Sequence, residues 1–462
     1  MDVADRPEGE ELAVATPRCS DPTINRASAT DLMTLASDHG PVPMNIGAVL
    51  VLDHGAGLDL RAVEAVLADR VPGVPRLRQR LVRTPWGCGR PLWVDDRAFD
   101  LRRHLSETRL PAPGGTDTLL RVAAQAVCEP LDAGLPPWRA RLVTGPHGDG
   151  AALVLVLHHV LADGIGGLAV LAALSDGTGS PAQAPGRAPV PARAPRPREL
   201  AVEAWRGRLN AAVHPATGLR RVVGGLRELG LADGLPRLAP ATSLNRPTGS
   251  GRRLTVVEVP LPDVVAAARA GNGTVNDVVV SAVAGALAGL LRSRGESPRE
   301  LVVSVPISSR RTAQPDRLGN ETGVLRLTVP TVADASERLR SIVATARTRA
   351  SVRGGGSAAM MGVVFRALAG LRLYQPFVDH QRLVNTFVSN VRGPAEVASF
   401  GGHRIAAVLP VAVVPGNVSV SFDVLSYAGR LTVTLVADPA LVPDLDALTD
   451  LLAAELAGEV RR

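Results

Sequence analysis

Residues 151–164 read Ala-Ala-Leu-Val-Leu-Val-Leu-His-His-Val-Leu-Ala-Asp-Gly. The first seven are apolar without a break. Seven residues is the length of a strand, and an apolar run that ignores the period of two belongs to a strand covered on both faces. The run is expected to be a central strand of an α/β fold. Directly after it come His158 and His159, then Asp163 and Gly164, with Gly166 and Gly167 close behind. Polar side chains at the exit of a buried strand stand on a rigid support, and glycines there permit a tight turn and close approach. Adjacent histidines point in different directions. One can face a cleft as general base while the other packs inward, and Asp163 is near enough to fix the loop or an imidazole. The plainer reading makes one or both histidines satisfied interior groups.

The rest of the composition narrows the chemistry. The chain has 462 residues, room for two or three domains, with 46% hydrophobic and 21% charged residues. All 51 basic residues are arginine. Without lysine, neither a pyridoxal phosphate Schiff base nor the phosphate loop GxxxxGK[ST] can exist. The net charge of +7 permits attraction to phosphates or anionic lipid without demanding nucleic acid. Aromatic residues are 3%, too few for base-stacking platforms, so no nucleic-acid partner is expected. Cys19, Cys88 and Cys128 are widely spaced, with no CxxC, which argues against a disulfide framework and for a reducing cytoplasm. There is no HExxH, GxSxG or GxGxxG, so no metal site, serine nucleophile elbow or dinucleotide loop is expected. The acidic start MDVADRPEGEE does not read as a signal peptide. The apolar runs at 151–157 and 278–291 fall short of the ~20 residues that cross a bilayer.

Residues 1–24 read as a loose tail. An N-terminal domain is expected over 25–175, with strands at 46–52 and 151–157 and helices at 60–71 and 119–127. Residues 176–198 carry Pro181, Pro185, Pro189, Pro191, Pro195 and Pro197 and read as a linker. A C-terminal domain over 199–462 is expected to open with a broken helix at 199–231. Strands follow at 254–259, 301–305, 323–329, 384–388, 402–408, 418–424 and 429–437, the last two as a hairpin. Helices are expected at 262–270, 275–292, 335–349 and 441–456.

These residues resemble the bacterial wax ester synthase/diacylglycerol acyltransferase family, whose HHxxxDG motif matches His158–Gly164. Other segments match in order. Residues 43–48, Pro-Met-Asn-Ile-Gly-Ala, resemble its PMxxGA segment, and Pro91-Leu92-Trp93 its PLW. Pro130-Leu131-Asp132 with Pro136-Pro137-Trp138 resembles PLD…PxW, and Asn276-Asp277 the ND motif. Residues 389–394, Ser-Asn-Val-Arg-Gly-Pro, resemble SNxxGP, and Ser426-Tyr427 with Gly429 the late SYxG. HHxxxDG alone is shared with peptide-condensing domains; the ordered set is far more specific. The chain departs from the pattern in the long proline-rich 176–198 and at Arg392.

The resemblance implies two chloramphenicol-acetyltransferase-like, condensation-domain-like α/β sandwich domains with an active-site tunnel at their interface. It implies transfer of an acyl group from fatty acyl-coenzyme A, a co-substrate rather than a cofactor, to diacylglycerol or a long-chain alcohol. By motif position His159 is the base, His158 its support, and Asp163 and Gly164 the loop. Asn276 and Asp277 either shape the site or cap a helix. Asn390 donates to a carbonyl or holds a turn. Pro91, Leu92 and Trp93 form a substrate wall or pack in the core. Two other functions compete: a condensation-type acyltransferase of specialised metabolism, and a catalytically silent lipid-binding paralogue. The arginine-rich stretches 206–227 and 338–353 read first as solvated helix faces, with peripheral contact to an inner membrane or lipid inclusions as the alternative.

Overall fold

The computed structural model describes residues 24–53, 57–146, 150–176, 194–213, 238–308, 318, 322–350, 356–414 and 416–460. The proline-rich linker, apart from its ends, and the second half of the broken arginine-rich helix lie outside these residues.

The strands are β1 (Asn45–Leu52), β2 (Gln79–Val82), β3 (Leu92–Asp95), β4 (Leu105–Arg109), β5 (Trp138–Thr144), β6 (Ala151–His158), β7 (Arg253–Pro260), β8 (Glu300–Ser308), β9 (Thr322–Pro330), β10 (Thr386–Arg392), β11 (Ser399–Phe400), β12 (His403–Ala412), β13 (Val420–Tyr427) and β14 (Arg430–Ala437). The helices used below are α1 (Ala29–Ser37), α2 (Leu60–Arg70), α3 (Thr116–Cys128), α4 (Gly164–Leu174), α5 (Pro197–Val213), α6 (Leu261–Ala270), α7 (Val275–Ser293), α8 (Ala335–Ala350), α9 (Gly356–Gly370), α10 (Tyr374–Asp379) and α11 (Leu445–Val460).

Two six-stranded sheets organise the chain. The first runs β11-β12-β1-β6-β5-β4 and the second β7-β14-β13-β10-β8-β9. All eight residues of β6 are buried, as its unbroken apolar run requires. Its odd-numbered leucines pack with α2 and α4, and Val154 and Val156 pack with α3. The second sheet buries Phe422, Val424 and Val388 against α6, α7, α8 and α11. Helix α7 is long and apolar enough to cross a bilayer by length alone, but it lies at the centre of this core.

The first sheet takes two strands from the far side of the linker. β12 pairs antiparallel with β1, from Ile46 opposite Ala412 to Leu52 opposite Ile405. The linear division of the chain at 176–198 therefore does not divide the two sheets. Tyr427 locks the crossover: its hydroxyl donates to the Ile405 carbonyl at 2.9 Å and accepts from the Ala398 N–H at 2.9 Å.

One reading of the arginine-rich stretches is corrected here. Arg338 is not on a solvated face but 1% exposed. It pairs with Glu455, and its Nε donates to the Ser281 carbonyl at 2.8 Å, tying α8 to α7 and α11. Arg206 and Arg208 on α5 are exposed as expected.

Candidate active site

The loop after β6 is built from hydrogen bonds that separate the two histidines. Leu161 N–H donates back to the His158 carbonyl at 2.8 Å, closing a tight turn. The His158 ring is fully engaged. Its Nδ1 accepts from the Val160 N–H at 3.0 Å, which leaves the proton on Nε2 to be donated to Asp38 Oδ2 at 3.1 Å. Burial works against ionisation of Asp38, but the hydrogen bonds from His158 and the Met44 N–H outweigh it and hold the carboxyl below its ordinary range.

His159 is held by its backbone, which donates to the Met44 carbonyl at 2.7 Å, and its ring lines a cavity. The segment 43–48 is thus a scaffold. Met44 fixes His159, Asn45 donates to the Val127 and Glu129 carbonyls at 2.9 and 3.1 Å, and Ile46, Gly47 and Ala48 line the cavity.

The cavity measures about 110 Å³, roughly the space of four waters. β1, β6, β12 and α4 supply one part of its wall. β10 and β13 supply the other, through Ser389, Val391, Asp423, Val424 and Leu425. Among the described residues, the lining side chains apart from His159, Ser389 and Asp423 are apolar or absent. The site therefore belongs to both sheets.

Asp163 caps α4: its Oδ1 accepts from the Gly166 N–H at 2.8 Å. Gly164 begins that helix where the two sheets meet. A Cβ there would lie 2.9 Å from Val391 Cγ2, so glycine at this position permits the close approach of β10.

The other sequence candidates lie elsewhere. Asp277 caps α7, its Oδ2 accepting from the Thr274 N–H and hydroxyl at 2.8 Å each, and half-buried Asn276 sits in the same first turn. Asn390 points to the opposite face of β10 from Ser389 and Val391. Leu92 packs with Cys88 and Leu200, and the Arg76 guanidinium lies 4.2 Å over the Trp93 ring. Pro91 accepts from the Ala27 N–H at 2.8 Å. None of these residues lines the cavity. Among the described residues no cluster of three metal-ligating side chains occurs.

Three residues escaped the sequence reading. Asp38 carried no signal. Ser389, in the same SNxxGP segment as Asn390, is the residue of that pair that lines the cavity. Asp423 is a lone carboxylate in an apolar strand, 5% exposed, whose Oδ2 accepts from the Ala412 N–H at 2.6 Å. Burial pushes its pKa up to about 7.

The fold is α/β with two large sheets, and His-His-x-x-x-Asp-Gly stands at the exit of a buried strand. Family comparison makes this specific. Residues 27–279 match the wax ester synthase/diacylglycerol acyltransferase catalytic domain, and residues 318–458 the WS/DGAT C-terminal domain. The chain belongs to this family and is an acyltransferase enzyme. It is 30% identical over 455 residues to a "Putative diacyglycerol O-acyltransferase" of Mycobacterium tuberculosis strain H37Rv, covering 92% of this chain and 88% of that one. Its fold matches the wax ester synthase/diacylglycerol acyltransferase from Marinobacter aquaeolei VT8 with a TM-score of 0.66 at 23% identity, over 95% and 99% of the two chains. It also matches the starter condensation domain of rhizomide synthetase, a mutant in complex with C8-CoA, with a TM-score of 0.58 at 16% identity, over 94% and 95%.

Proposed function

We propose that the chain transfers a fatty acyl group from acyl-coenzyme A to the hydroxyl of a diacylglycerol or a long-chain alcohol, with His159 as general base. The observation that carries this reading is the division of labour between the histidines. The His158 ring spends both nitrogens on protein partners, while the His159 ring opens on an apolar cavity.

An alcohol is a weak nucleophile at neutral pH. An imidazole with an ordinary pKa near ~6.5 can take its proton as the oxygen attacks the thioester carbon. The C–O bond forms, the tetrahedral intermediate collapses with cleavage of the C–S bond, and coenzyme A leaves as a thiolate that recovers the proton from His159. No covalent enzyme intermediate is needed. General-base help of this kind is typically worth ~10²–10⁴ in rate. The rest comes from positioning, for which Leu155, Leu157, Leu168, Leu171 and Val408 offer an alkyl-compatible wall. The cavity holds the reacting ends rather than a whole fatty chain, and we read it as the reacting section of a channel along which the two chains extend. His158 and Asp38 position the loop.

The test is thiol release from palmitoyl-coenzyme A with dioctanoylglycerol or hexadecanol as acceptor, with the ester identified by thin-layer chromatography. Release with either acceptor, lost in His159→Ala at unchanged circular dichroism, is the expected result. Near-wild-type turnover of His159→Ala overturns the base assignment. Release only with some other hydroxylated acceptor overturns the proposed substrates.

A further inference from the structure

A polar row crosses the second sheet where it meets the cavity. Ser389 on β10 is in register with Asp423 on β13, and Asp423 with Thr434 on β14. Directly paired residues share a face of the sheet. The face is the one that meets β12, since Asp423 takes its hydrogen bond from Ala412. The neighbour Phe422 contributes to the helix-covered core on the other side. Ser389 and Asp423 both line the cavity that holds the His159 ring.

The row is polar beyond what its protein partners require. Asp423 is 5% exposed, and among the described residues its carboxyl takes a single hydrogen bond, at Oδ2. Thr434 Oγ1 is buried with no hydrogen-bond partner among the described residues. Buried polar groups are ordinarily satisfied, and leaving one unmade costs more than a formed bond gains. A leucine or valine at 423 would continue the apolar wall at no such cost.

We propose that Asp423, supported by Ser389 and Thr434, is a specificity-determining site that hydrogen-bonds a second oxygen function on the substrate, beside the hydroxyl or thioester that reacts at His159. The inference rests on the acyl-transfer reading above and names the substrate class within it: acceptors or acyl chains carrying a further hydroxyl, ester or carbonyl oxygen near the reacting atom. A partial glyceride carries such oxygens and a simple alkanol does not. The raised pKa of Asp423 keeps a large share of the carboxyl protonated near neutrality, able both to donate to a carbonyl and to accept from a hydroxyl. A site built to pair a substrate oxygen disfavours the analogue that lacks it, because the buried group is then left unpaired.

The experiment compares kcat/KM for paired substrates in the full-length wild type, Asp423→Leu and Asp423→Asn. Acceptors are dioctanoylglycerol and decanol; acyl donors are palmitoyl-coenzyme A and 3-hydroxypalmitoyl-coenzyme A. The expected result is a preference for the oxygenated member of one pair that collapses by about 10–100-fold in Asp423→Leu and is kept within about threefold in Asp423→Asn, whose amide still pairs. The pair that responds tells whether the oxygen belongs to acceptor or acyl chain. Equal losses on both members, or an unchanged ratio, overturn the proposal and leave Asp423 a structural group satisfied by water. Should the leucine variant fold poorly, Asp423→Val is read the same way. Calorimetric binding of dioctanoylglycerol against decanol supplies a readout without turnover. If the wild type releases no thiol with any pair, the acyl-transfer reading fails, while the binding ratio still decides whether Asp423 discriminates.

Discussion

Asp163 offers the sharpest separation between an architectural and a chemical role within the HHxxxDG motif. Its Oδ1 accepts the Gly166 N–H at 2.8 Å and caps α4, and the side chain is 2% exposed, so water cannot readily replace it in an alanine variant. Helix α4 depends on this cap, because Gly164, Gly166 and Gly167 crowd its first turns and interior glycine is ~1 kcal/mol poorer than alanine. Loss of a cap costs ~0.5–2 kcal/mol, and burial places Asp163→Ala at about the upper end, ~2 kcal/mol. With a urea dependence of about 3 kcal/mol per molar or more for a chain of 462 residues, the unfolding midpoint should fall by roughly 0.7 M or less. Turnover should fall as well, since α4 forms the cavity wall through Gly164, Gly167, Leu168 and Leu171. Asp163→Asn keeps an acceptor oxygen and no charge, and should restore most of the midpoint and most of the turnover. An asparagine variant as inactive as alanine but with a wild-type midpoint would refute a purely architectural role and give Asp163 a role in proton transfer.

Asp38→Asn should lower stability by about 1 kcal/mol, a partly exposed charged hydrogen bond discounted for screening. Because the folded carboxyl titrates below its unfolded value, that contribution is present above pH ~4 and disappears as pH falls through the lowered folded pKa. Chemical denaturation of both proteins from pH 2.5 to 7 checks whether the curves converge at the acid end. Asp423 behaves in the opposite sense. Between its unfolded 3.8 and folded value of about 7 the native state binds the extra proton, so stability declines as pH rises through that window. The difference corresponds to on the order of 4 kcal/mol, and Asp423→Asn should abolish that slope in denaturation curves taken from pH 4 to 8. Gly164→Ala should lower turnover, since its Cβ would press Val391 at 2.9 Å. Gly167→Ala, whose Cβ meets Ile46 Cδ1 at an ordinary 3.5 Å, should raise the melting temperature by an amount equivalent to ~1 kcal/mol. Differential scanning calorimetry of the two variants is the check, and equal destabilisation of both would contradict it.

Much of the fold is legible as pattern. The unbroken run ending at Leu157 became the fully buried β6, with His158 as its last residue. The alternation in 429–437 became β14, joined to β13 by a turn at Ala428 and Gly429, both with positive φ. Short strands such as β2 and β4 were not legible, because four or five mixed residues carry no period. Helix α4 was hidden by its glycines, which weaken propensity while the Asp163 cap and packing on β6 decide the outcome. In the sequence Trp138 carries no signal beyond its place in the PxW segment. In the fold its indole N–H donates to the Leu77 carbonyl at 2.7 Å and its ring stacks on His104 at 4.4 Å.

The sequence by itself determined where a rigid strand would end and that two histidines would stand there, because periodicity and turn chemistry are local. Which histidine ring bonds to protein partners and which residue lines the cavity depends on Asp38, Met44 and Val160, partners that no short-range pattern brings together. The stripe Ser419, Ser421, Asp423 shows the same limit. All three residues are buried, by partners from elsewhere in the chain: Ser419, just before β13, donates its hydroxyl to the Leu244 carbonyl, and Asp423 accepts from the Ala412 N–H at the end of β12. Burial of a sheet's second face is a property of the assembled layers, and it is what turns an ordinary aspartate into a carboxyl lining the His159 cavity.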